Sequence, residues 1–75
     1  MSRQTELDKR WNDLMGLCTR ERDYTAEPRH PKLVRFISRQ IDELAAQMGF
    51  SQHQIKSREF RAERDGDRIL RLLVD

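Results

Sequence analysis

The chain has 75 residues, of which 37% are charged and 36% hydrophobic, with a net charge of +2. That length holds one domain with a core worth only a few kcal/mol net, and the regular spacing of the apolar residues excludes a disordered chain. No apolar run is long enough to span a bilayer, no signal-peptide pattern opens the sequence, and the single cysteine, Cys18, excludes an internal disulfide framework, so a cytoplasmic protein is expected.

The first predicted element is a helix over residues 5–23. Leu7, Trp11, Leu14, Met15 and Cys18 recur at helical spacing and draw one apolar stripe. Thr5 is placed to cap this helix, with Asp8 reaching back three residues later. Gly16 lies inside it at a cost of about 1 kcal/mol against alanine, and such a glycine often marks a close approach by another element. Trp11 and Cys18 are read as core, not as a stacking platform or a nucleophile.

Residues 24–30 read as a loop, because Pro28 and Pro31 each restrain the residue before them. Pro31 then suits the first turn of a helix over 31–48, whose inner face is Leu33, Ile37, Ile41, Leu44, Ala45 and Met48. Lys32, Arg35 and Arg39 form a basic stripe on the opposite face, with Asp42 and Glu43 following. Gly49 is a natural C′ residue, and Phe50 can fold back as the apolar partner of a Schellman cap.

Ser51 opens a short third helix over 52–58, with Gln54 completing a capping box and Ile55 as its one anchor. From residue 59 to 74 the period alternates, and Asp65-Gly66 between two such runs is a strong hairpin signal. A two-residue loop at Asp65-Gly66 would set Ala62 opposite Ile69 and Phe60 opposite Arg71. Counting by twos places Leu70, Leu72 and Val74 on one face, expected to carry the helices. Ile69 and Leu73 fall on the other, as a possible interface.

The predicted fold is therefore α+β: two amphipathic helices, a short third helix and a C-terminal β-hairpin. Charge is unevenly placed along it. Residues 1–27 hold five basic and six acidic side chains, whereas Arg29 to Arg58 hold six basic against two acidic. That mild basic patch permits nucleic-acid binding without demanding it. Cys18, His30 and His53 have no zinc-site spacing, the three glycines are isolated, and no carboxylate pair can be argued. No metal, cofactor or catalytic residue is expected, and the chain is not expected to be an enzyme.

Ala45, Gly49 and Ile55, with a small contact residue, a turn glycine and a buried aliphatic, have the spacing of a helix-turn-helix. Residues 41–75, from IDELAAQMGFSQHQI to the hairpin, thus resemble the winged-helix branch of helix-turn-helix DNA-binding domains. The resemblance implies a small DNA-binding regulator. Gln52, His53, Gln54 and Lys56 would read base edges, and Ser51, Arg58, Arg64 and Arg68 would touch phosphate, with Ser57 on the same displayed face. Arg58 stands where that pattern usually has an apolar residue. It would act on double-stranded DNA as a homodimer through helix 1 or the Ile69/Leu73 face. Two other readings stand beside it. One is a protein-interaction module (an adaptor, an inhibitor or a phage accessory protein) using the hairpin and the basic helix face. The other is RNA binding through the arginine-rich face.

Overall fold

A computed structural model describes residues 3–27 and 30–75. The order is α1 (Arg3–Ala26), α2 (Pro31–Gln47), α3 (Gln52–Ser57), β1 (Ala62–Asp65) and β2 (Arg68–Leu72). This is the expected α+β arrangement, three helices followed by an antiparallel two-stranded hairpin. No helix among the described residues is long and apolar enough to cross a membrane.

Helix α1 is longer at both ends than expected. Thr5 falls inside the helix and not before it, its side chain lying outside the described groups, and Asp8 is engaged elsewhere. At the other end the helix passes Asp23 and takes in Tyr24. The restraint imposed by a proline reaches only the residue before it, so residues 24–26 can stay helical. Pro28 itself lies outside the described residues. Tyr24 packs edge-on against His30, with ring centroids 5.6 Å apart. Pro31 opens α2 as expected.

The two long helices double back on each other and bury their stripes together. Trp11 and Leu14 from α1 meet Ile37, Ile41 and Ala45 from α2, with Leu14, Ile41 and Ala45 wholly inaccessible to solvent. Leu14 and Ile41 each contribute about 1.5–3 kcal/mol by that burial. Cys18 packs half-buried against this core, and burial pushes its thiol above the usual range while the nearby Arg58 guanidinium partly opposes the rise.

At the end of α2 the chain closes a Schellman motif. Phe50 N–H donates to Ala45 O at 3.1 Å, and Gly49 N–H donates to Ala46 O at 3.1 Å. This needs φ of +95° at Gly49, the left-handed region that glycine enters freely. Phe50 is thereby turned into the core, where it meets Phe60 edge-to-face at 4.9 Å. One aromatic pair ties the helical turn to the start of the hairpin.

The hairpin forms with a different register. Its turn residues are Gly66 and Asp67, not Asp65 and Gly66, and the positive φ falls on Gly66. Pairing is Asp65 with Arg68, Arg64 with Ile69, Glu63 with Arg71 and Ala62 with Leu72. Between Arg64 and Glu63 the ladder slips, leaving Leu70 as an extra residue in β2. The bulge resets the alternation. Ile69, expected on an outer interface, is 3% exposed in the core, and Leu72 packs beside it half-buried. Leu70 and Val74, expected to face the helices, are instead exposed.

Candidate nucleic-acid interface

Helix α3 decides what the turn after α2 can present. Ser51 has extended φ and ψ and its hydroxyl accepts from Gln54 N–H at 3.1 Å. In return Gln54 Oε1 accepts from Ser51 N–H at 3.0 Å, which completes the expected capping box. The other end of the same amide is also engaged: Gln54 Nε2 donates to Leu73 O at 3.1 Å. Gln54 is 6% exposed. Its expected role as a base reader is overturned, because the side chain is buried and both ends of its amide are engaged within the molecule.

Arg58 is the second residue that the structure moves to the inside. Its Nε and one terminal nitrogen form a fork on Glu21, at 3.1 and 2.8 Å. The other terminal nitrogen donates to Asp42 and to Ile55 O, both at 2.8 Å, and a further bond at 2.9 Å reaches the Ser38 hydroxyl. Five hydrogen bonds use up the donors of the guanidinium, so Arg58 is a clamp between α1, α2 and the end of α3 instead of a free phosphate ligand. The hydrogen bonds it donates to Glu21 hold its pKa above the ordinary arginine value, outweighing partial burial. The charge at this position is met by two carboxylates, Glu21 and Asp42.

The clamp is maintained against a backbone cost. Arg58 has φ 59° and ψ 31°, in the left-handed region, and ends α3 with a second Schellman closure from Glu59 N–H to Gln54 O at 3.0 Å. A non-glycine residue there costs about 1 kcal/mol or more.

What remains on the outside of α3 is Gln52, His53, Lys56 and Ser57, all exposed. The Ser57 hydroxyl donates back to His53 O at 2.7 Å, which leaves its oxygen to accept. Within the hairpin, Arg64 and Arg68 are exposed as expected. Arg64 also lies over the Trp11 ring at 5.4 Å, so it is held in place by a cation–π contact. Arg71 pairs with Glu63 across the strands. The basic stripe of Lys32, Arg35 and Arg39 is exposed along α2.

Two residues in this region take roles that the sequence did not assign to them. Arg61 shares a shallow depression of about 380 Å³ with His53, between α3 and the C-terminal segment, with Glu59 and Asp75 on its rim. Asp8 accepts from Ile69 N–H at 3.1 Å and so docks β2 on α1. Arginine-rich composition signalled the first only diffusely, and the apparent capping role hid the second. Leu73 is 40% exposed, and only this half of the expected Ile69/Leu73 face is on the surface. No protein-family model, curated protein or solved structure matches this chain.

Proposed function

We propose that the protein binds duplex DNA, laying the outer face of α3 in the major groove with the hairpin alongside as a wing. The observation that carries this reading is the character of that face: Gln52, His53 and Lys56 are all exposed, and α3 contains no acidic side chain. Gln52 supplies an amide for a base edge and Lys56 a cation for a phosphate or a guanine, while Arg64 and Arg68 hold flanking phosphates. Arg58 contributes indirectly, by fixing the angle at which α3 leaves the body. A six-residue helix is only about 9 Å long, so it reaches two or three base steps and leaves most of the affinity to phosphate contacts. Such a regulator would work in the cytoplasm.

Fluorescence anisotropy of a mixed-sequence duplex tests the reading. With three phosphate contacts from Lys56, Arg64 and Arg68, a fourfold rise in salt weakens binding by roughly fortyfold. Lys56→Glu with Arg68→Glu should abolish binding while the circular dichroism spectrum stays the same. Absence of binding at low salt would sink the proposal.

A second reading has its own support. Leu70, Leu73 and Val74 are 47%, 40% and 45% exposed within one short segment. That is much apolar surface for so small a chain, and it suits a protein partner seated on the C-terminal strand. Under that reading Leu73→Asp removes the interaction and the α3 variants leave it intact.

A further inference from the structure

We propose that a second copy of this chain docks against the α1–α2 groove, with the two α1 helices crossing antiparallel at Gly16. The inference does not rest on DNA binding. One side of the α1–α2 pair is closed by α3, through the Arg58 clamp, and by β2. The other side is open, as a groove of about 580 Å³ whose floor includes Gly16 and Leu17 from α1 with Gln40 and Leu44 from α2. One turn before Gln40, Phe36 is 60% exposed, the most exposed large hydrophobic side chain among the described residues.

Gly16 is the residue the single chain leaves unexplained. It sits in the middle of a 24-residue helix, where glycine is destabilising, and a Cβ there would meet nothing within 4 Å. No described residue packs closely enough over this position to require a glycine. A helix from outside does, because backbones approach closely only over small residues.

The charges identify that outside helix. Asp13 and Arg20 are both exposed and both line the groove. Seven residues separate them, which is two turns on one face of a helix. Their midpoint falls between residues 16 and 17. A two-fold axis placed there sets Asp13 against Arg20 of the partner subunit and Arg20 against the partner subunit's Asp13. The pattern is self-complementary, as an isologous contact requires, and its centre coincides with the one position that permits the closest approach. Leu17 and Leu44 then lose water on both copies, and four helices share one enlarged core.

Sedimentation equilibrium of the full chain over a wide concentration range, without DNA, reads the outcome. The wild-type chain should give a reversible dimer. Arg20→Asp should raise the dimer dissociation constant by roughly tenfold or more, since both pairs become repulsive. The swap Asp13→Arg with Arg20→Asp should restore it, which no general loss of charge would do. Gly16→Leu should abolish the dimer and raise the thermal midpoint of the monomer, because the space over Gly16 is open in the single chain. A wild-type chain that stays monomeric at every concentration overturns the proposal. So does a dimer indifferent to Gly16→Leu, or a charge swap that fails to restore association.

Discussion

Two turns in this small molecule use glycine in the same way and are held by different means. The turn at Gly49 is closed from both sides by bonds within a few residues: the Schellman pair from Gly49 and Phe50, then the Ser51–Gln54 capping box. The turn at Gly66 lies among exposed residues from Glu63 to Arg68. Its register is fixed from a distance, by Ile69 entering the core, by Asp8 accepting the Ile69 amide and by Trp11 beneath Arg64. Local bonds set the first geometry and tertiary packing sets the second. A turn of the first kind keeps its shape when its surroundings change, whereas one of the second kind slips to whatever register buries the most.

The sharpest way to break the contrast is at the bulge. Ile69→Asp places a charge in the core and should cost about 3 kcal/mol or more, enough to unfold much of the population, whereas Leu70→Asp should stay within about 0.5 kcal/mol. Urea denaturation separates the two, and equal effects would mean that the register is not as described. Next in size is the clamp. Arg58→Ala should cost about 2–4 kcal/mol, because Glu21, itself only 20% exposed, loses its partner. Arg58→Gly should cost about 1 kcal/mol less than that, since glycine relieves the left-handed backbone. Reversal of that order would show that the cap geometry carries no strain.

Smaller effects discriminate the turns themselves. Gly49→Ala should lose about 1 kcal/mol through its φ of +95°, with Gly49→Asn milder. Asp8→Ala should lose about 1 kcal/mol, and the loss should be local. Amide hydrogen exchange should speed up at Ile69 and along β2, with the amides of Gly49 and Phe50 unchanged. Uniform acceleration across both regions would erase the distinction drawn between them.

The same division explains what could be read from the sequence. The bonds that close the turn at Gly49 and cap α3 at Ser51 join residues no more than five positions apart, so the cap, the turn and the start of α3 were legible. The burial of Gln54 was not legible, because it comes with bonds to Leu73 and Asp75, nineteen and twenty-one residues on. The partners of Arg58 were not legible, because Glu21 stands 37 residues away and Asp42 sixteen. Asp8 was misread for the same reason: its true partner lies 61 residues on, while Thr5 offered a local one. Apolar residues on both sides of β2 did signal that something was unusual there. A bulge resolves the conflict, but period-two counting has no place for an extra residue.

Gln54 also ties the timing of folding to a segment nineteen residues later. Its amide reaches Leu73 O, nineteen residues later, and the Ser51 hydroxyl reaches Asp75 at 3.2 Å. A ribosome that has just finished α3 has therefore made a helix whose inward glutamine still lacks one of its partners. Until the strand after the bulge emerges, α2 and α3 hold their local turn without its final anchor, and residues 73–75 complete a unit begun much earlier.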